Sequence, residues 1–219
     1  MLKDNTNSKA VLFDLDGTLA DTSKDMCDAL NTVLLEHRLE TVKCNELKFH
    51  ISRGALGVIE YASIVNKRSI DSSLMRSEFL EEYKENCFIN TKLNENMDKL
   101  LSYCKDNKIL IGIVTNKHSR YVNKIIDGLR LRHDLACMIT GDMVINAKPA
   151  SDGLLKAALE IDCNPENIIY VGDDERDIIA GNTAGMKTVA ADFGFIDKNV
   201  DISLWDADLI IKDPLDLIK

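Results

Sequence analysis

The chain has 219 residues, 45% of them hydrophobic, and a formal net charge of −9. At about 150 residues per domain this length fits one domain carrying a smaller insertion. The acidic balance, with no Lys/Arg-rich run and no basic–aromatic interleaving, argues against nucleic acid as a partner. No stretch approaches the roughly 18 apolar residues of a membrane-spanning helix, so no membrane partner is expected either.

The N-terminus, MLKDNTNSK, is polar and lacks the apolar core of a secretory signal. Six cysteines occur, at positions 27, 44, 87, 104, 137 and 163, with no CxxC pair and no neighbouring His at zinc spacing. They read as reduced thiols of a cytoplasmic protein.

The first element is an apolar run, Val11, Leu12 and Phe13, of the kind that forms a fully buried strand. Asp14 ends it and Asp16 follows. In extended chain i and i+2 share a face, so both carboxylates can stand together at the strand's carboxyl end. Gly17 and Thr18 supply a turn. Residues 21–39 then carry Met26, Ala29, Leu30, Val33 and Leu34 at helical spacing, with Thr22 or Ser23 as cap. The pattern stays helical as far as Thr91: a weak segment at 45–50, a helix from Gly54, and a helix over 74–86 with Met75, Phe79 and Tyr83 four apart. From Met97 onward helices alternate with apolar strands at 109–114, 136–139, 168–171, 188–191 and 209–211. That alternation predicts a parallel sheet. The expected architecture is α/β, a Rossmann-like doubly wound core over 1–20 and 92–219, with an inserted α-helical cap over 21–91.

In such sheets ligands bind beyond the carboxyl ends of the strands, and four strand ends here carry chemistry. They are Asp14 with Asp16; Thr115 with Asn116; the region from Gly141 to Lys148; and Asp173 with Asp174, followed by Asp177. Three of these carboxylates, Asp14, Asp16 and Asp173, offer the hard oxygens that Mg²⁺ prefers. Thr115, backbone N–H groups and the Lys148 ammonium suit phosphoryl oxygens. A carboxylate can attack phosphorus, and a second can move the protons.

The segments DLDGTLADT, VTNK, AKP and VGDDERDIIAGNTAGM, in this order, resemble the haloacid dehalogenase superfamily of phosphohydrolases, in the branch with a small helical cap. The resemblance implies Asp14 as nucleophile and Asp16 as general acid and base, with the Asp16 carbonyl on Mg²⁺. It implies Thr115 and Asn116 as phosphate ligands, and Lys148 as the cation neutralising nucleophile and phosphate. Asp173 becomes a direct metal ligand, and Asp177 holds a metal-bound water or Lys148. Asp16 favours phosphate chemistry over dehalogenation, and Gly172-Asp173 favours hydrolysis over a mutase. One departure is Lys148-Pro149-Ala150-Ser151, without the family's second proline, where Ser151 or Asp152 can cap the next helix.

Within the branch, the long fourth segment, ISRGA and the tail GFIDKNVDISLWDADLIIKDP resemble bacterial phosphoglycolate phosphatases, and the tail also resembles N-acetylmuramic acid 6-phosphate phosphatases. The implied substrate is a small phosphorylated metabolite, phosphoglycolate first, and the implied assembly is a monomer or homodimer. Arg53 either reaches a substrate carboxylate or is a solvated arginine at a helix start. Lys117 adds positive potential near the site. The reading from another class is a non-enzymatic, receiver-like phosphoacceptor, against which the inserted block and the DxDGT order argue.

Overall fold

The computed structural model describes residue 2 and residues 9–219; the polar N-terminal segment lies, apart from these, outside the described residues. Among them the elements run β1 (Ala10–Phe13), β2 (Ala20–Asp21), α1 (Ser23–Glu36), α2 (Cys44–Leu47), α3 (Gly54–Val65), α4 (Ser72–Asn86), β3 (Lys92–Leu93), α5 (Met97–Asp106), β4 (Leu110–Val114), α6 (Ser119–Gly128), β5 (Cys137–Ile139), α7 (Asp152–Glu160), β6 (Ile168–Gly172), α8 (Glu175–Ala184), β7 (Lys187–Ala191) and β8 (Leu209–Ile211). None of the described helices is long and apolar enough to cross a membrane. The chain divides into two compact units, Met1–Ala20 with Leu93–Lys219, and Asp21–Lys92.

The first unit is built on a parallel sheet, described as six strands in the order β5-β4-β1-β6-β7-β8. β1 is buried along its whole length because it has a neighbour on each side. Parallel strands covered on both faces read as unbroken apolar runs rather than alternating ones, which is why VLF and IIYV stood out. On one face α7 and α8 pack against the sheet, where Leu12, Tyr170, Leu154, Ala157 and Ala180 belong to one core cluster. The strand order reverses direction at β1, the switch point at which open α/β sheets form their crevice.

The second unit is helical. α1 buries Met26, Cys27, Ala29, Leu30, Val33 and Leu34, and α4 buries Met75, Phe79 and Tyr83, so the fourfold spacing does mark its inner face. Thr22 makes no capping bond to α1; Asp21 Oδ1 accepts from the Ser23 N–H at 3.0 Å and its hydroxyl at 2.6 Å instead. Asp25, fully buried, accepts from the N–H groups of Ile89, Asn90 and Thr91 at 3.0, 2.8 and 2.9 Å. It thereby ties the last turn of the unit to its first helix. These bonds outweigh burial and hold its carboxyl below the usual range.

Two more expectations need correction. Cys27 and Cys44 form a disulfide, so the reading of all six cysteines as reduced thiols fails for this pair, while Cys87, Cys104, Cys137 and Cys163 remain thiols. No spacing motif marks the pair; Cys27 is inside α1 and Cys44 opens α2, and only their packing brings the sulfurs together. Neither Ser151 nor Asp152 caps α7: Ser151 precedes it without a capping bond, and Asp152 Oδ2 accepts from the Asn146 side chain at 3.0 Å.

Candidate active site at the carboxyl edge of the sheet

Register brings three strand ends level. Phe13 pairs with Ile113 on one side and Val171 on the other, so Asp14, Thr115 and Asp173 follow strands that stop together. The Asp14 N–H donates to the Val171 carbonyl at 2.9 Å and the Thr115 N–H to the Ile139 carbonyl at 3.0 Å. Side chains alternate along a strand, which puts Asp14 on the same face as Leu12 and in reach of Tyr170, the residue paired with Leu12.

At the centre sits the Lys148 ammonium, 6% exposed. It donates to Asp14 Oδ1 at 2.8 Å, Asp177 Oδ1 at 2.6 Å and the Tyr170 hydroxyl at 2.8 Å, with the Val114 carbonyl at 3.2 Å. Burial alone would lower the pKa of this amine, but Asp14 and Asp177 override it and raise the pKa above the usual lysine range. Asp14 feels the opposite balance. Its burial, joined by repulsion from Asp177 and Asp16, outweighs the pull of Lys148 and lifts its carboxyl to about 6.

Asp173 lies beside them and is raised well above the carboxylate range, first by burial and then by Asp14 and Asp177. The Thr18 hydroxyl donates to its Oδ1 at 2.8 Å, and the Phe195 N–H to its Oδ2 at 2.7 Å. This approach is possible only because residue 17 is glycine: its φ is +86°, and a Cβ there would lie 2.2 Å from Asp173 Oδ2. Gly172 makes room in the same way for Asp177, whose Cβ would be 2.3 Å from an added Cβ.

Asp14, Asp173 and Asp177 each offer an oxygen within 4.8 Å of the other two. Asp177 is already committed, since its Oδ1 receives Lys148 and Tyr170 and its Oδ2 receives the Asp174 N–H at 3.1 Å. Asp14, which accepts from Lys148, and Asp173, which accepts one bond on each oxygen, keep more lone-pair capacity for a cation than Asp177. Across the site Asp14, Asp16, Asp173 and Asp177 face two ammoniums, Lys117 and Lys148, which leaves two carboxylates in excess. An all-oxygen donor set with that excess fits a hard divalent cation.

The remaining sequence candidates separate. The Asn116 side chain clamps Lys148, accepting from its N–H at 2.9 Å and donating to its carbonyl at 3.0 Å, across a cis Lys148–Pro149 peptide. Thr115 is buried, and its hydroxyl accepts from the Lys117 N–H at 3.2 Å. Asp16 accepts through Oδ1 from the Lys117 ammonium at 2.7 Å. Asp174, left without a role on sequence, caps α8 by accepting from the Arg176 N–H at 3.0 Å, which starts the helix at Glu175 and sets Asp177 one turn in. Arg53 belongs to the second unit, where it pairs with Glu60 and is 57% exposed.

Sequence reasoning missed Tyr170 and Thr18. Tyr170 did leave a signal: a hydroxyl inside the otherwise apolar run IIYV must find a partner when buried. It donates to the Val114 carbonyl at 2.9 Å or Asp177 at 3.0 Å. Thr18 left none, because its partner is 155 positions away.

The chain matches the haloacid dehalogenase-like hydrolase family over residues 11–191. It is 36% identical over 211 residues to the N-acetylmuramic acid 6-phosphate phosphatase of Pseudomonas putida, covering 96% of this chain and 95% of the relative. It is 34% identical over 206 residues to a phosphoglycolate phosphatase of Xanthomonas campestris, covering 94% and 93%. Among solved structures, that of a predicted phosphoglycolate phosphatase from Haemophilus somnus superposes with a TM-score of 0.87 at 24% identity, covering 97% of each chain. That last likeness speaks to the fold.

Proposed function

Since the chain belongs to the haloacid dehalogenase-like hydrolase family, we propose that it hydrolyses a small phosphomonoester through an aspartyl-phosphate on Asp14. The observation that carries this reading is the Asp14 carboxylate at the end of β1, held by the Lys148 ammonium at 2.8 Å with Asp16 two residues on. Lys148 orients Asp14 and offsets charge on the transferring group. An Asp14 oxygen attacks phosphorus and the P–O bond to the alcohol breaks, while Asp16 gives its proton to the leaving oxygen. Water then attacks phosphorus and yields its proton to Asp16. The Asp14–phosphorus bond breaks, and phosphate leaves. Thr115 and the Asn116 backbone receive phosphoryl oxygens.

Asp14, Asp173 and the Asp16 carbonyl would hold the metal, Mg²⁺ in this reading, which would neutralise charge on the phosphoryl group. Asp177 acts through Lys148. Arg53 is the residue of the second unit assigned to a substrate carboxylate. A carboxylate is shared by phosphoglycolate, the first substrate proposed, and by N-acetylmuramic acid 6-phosphate. The 36% identical relative from Pseudomonas putida favours the latter as a second reading. Steady release of phosphate from p-nitrophenyl phosphate, lost in Asp14→Asn and on chelation and restored by Mg²⁺, is the expected result. Single-turnover phosphorylation without release would instead indicate a phosphoacceptor. A kinetic comparison of the two metabolites then ranks the substrates.

A further inference from the structure

The site holds two buried ammoniums, and the reaction so far uses only one. Lys117 is 7% exposed at its side chain and Asp16 18%, with Nζ 2.7 Å from Oδ1. A lysine that far out of water persists where a carboxylate compensates it. The two cations pair with different carboxylates: Lys148 with Asp14 and Asp177, and Lys117 with Asp16.

The backbone of Lys117 is fixed as firmly as its side chain. Its N–H donates to Thr115 Oγ1 at 3.2 Å, and its carbonyl accepts from the Gly141 N–H at 3.0 Å. Gly141 presses so close that a Cβ there would lie 2.3 Å from the Asn116 carbonyl oxygen. On the other side, the loop carrying Asp16 is tied by Gly17 N–H to Ala20 O at 2.9 Å and Ala20 N–H to Leu15 O at 3.0 Å. An ion pair therefore joins these two tied loops, and it holds the Oδ1 side of the Asp16 carboxylate. Proton transfer depends on direction, since donor and acceptor must come within hydrogen-bond reach.

We propose that Lys117 is a positioning residue for Asp16, aiming its carboxyl group at the leaving oxygen and then at the attacking water. This rests on the reading of Asp16 as general acid and base. The proton path is unchanged: from Asp16 to the departing alkoxide as the P–O bond breaks, and from water back to Asp16.

The test compares Lys117→Met, Lys117→Arg, Asp16→Asn and the double variant Lys117→Met/Asp16→Asn on p-nitrophenyl phosphate and phenyl phosphate, with Mg²⁺ present. Phenolate leaves less readily than nitrophenolate, so it depends more on the acid. Lys117→Met should lower kcat on phenyl phosphate about 10- to 100-fold, part of the full worth of a general acid. The loss on p-nitrophenyl phosphate should be smaller, and KM should stay within about twofold in both cases, as for an interaction realised in the transition state. Lys117→Arg should recover most of the rate, and Lys117→Met should cost nothing further in the Asp16→Asn background. A raised KM with unchanged kcat would overturn the proposal by making Lys117 a substrate ligand. Multiplying losses in the double variant, or equal losses on the two substrates, would overturn it as well. If Lys117→Met does not fold, Lys117→Gln, which keeps a donor without the charge, carries the same comparison. Wild-type turnover in Asp16→Asn would defeat the acid–base reading itself, whereas an inactive Asp16→Asn beside a fully active Lys117→Met would defeat only the role given to Lys117.

Discussion

Replacing Lys148 by Met removes the cation that Asp14 and Asp177 share while keeping a side chain of similar length. Nζ stands 2.8 and 2.6 Å from the two carboxylates, and none of the three side chains is more than 13% exposed. Stripping one partner from a buried ion pair costs about 3–5 kcal/mol, because the charge left behind stays desolvated. For a chain of this length that corresponds to a fall in Tm of about 6–20 °C. The loss should depend on pH with a definite sign. Asp14 already sits near 6 with Lys148 beside it, against 3.8 ordinarily; without the ammonium, burial and its acidic neighbours push it higher. Between pH 7.5 and 5.5 the folded variant then takes up a proton that the unfolded chain does not. Its stability therefore rises as pH falls. Wild type gains less over the same range, so the gap should narrow by about 1 kcal/mol or more. Lys148→Met/Asp14→Asn, which removes a cation and an anion together, should recover about 2 kcal/mol. Urea unfolding of wild type, single and double variants at the two pH values measures all of this. A single variant that loses less than about 1 kcal/mol, or the same amount at both pH values, would refute the counter-ion role.

Tyr170→Phe keeps the ring in the core but removes the hydroxyl that meets Lys148, Val114 and Asp177. It should cost about 1–2 kcal/mol and lower kcat more than it changes KM, which urea unfolding and steady-state kinetics will show. Asp25→Ala orphans three backbone N–H groups and should cost the second unit about 3 kcal/mol. Hydrogen exchange should rise at residues 89–91. Because hydrogen bonding depresses the Asp25 carboxyl, its contribution is present above the ordinary value of 3.8 and is lost as pH falls through the lower folded value. Adding Mg²⁺ at about 100 times its Kd should stabilise the chain by about 2.7 kcal/mol, and Asp173→Asn should abolish most of that gain in thermal melts. An unchanged gain would take Asp173 out of the metal site.

The legible part of this protein was the local part. A central strand of a parallel sheet is buried on both faces, so its apolar run needs no distant information to be seen, and the carboxylate that ends it is visible as the break in that run. Helix faces repeat within a few residues, so Phe79 and Tyr83 could be placed inward without knowing what they meet. Motif order along the chain carried Asp14, Thr115, Lys148 and Asp173 to the carboxyl edge of one sheet, because a strand's end is fixed in sequence. Tertiary structure decided the charge pairings that the motifs left open. Lys148 and Asp14 are 134 positions apart, and Lys117 and Asp16 are 101. The motifs implied the first pairing, whereas no pattern in the chain places Lys117 against Asp16. The same holds for Asn116, whose side chain clamps the Lys148 backbone, and for Cys27 and Cys44, which only helix packing joins. Residue types and spacing determine what chemistry is available at each strand end. Register and close packing determine the partners, since hydrogen bonds and ion pairs act over about 3 Å and only the folded chain sets distances on that scale.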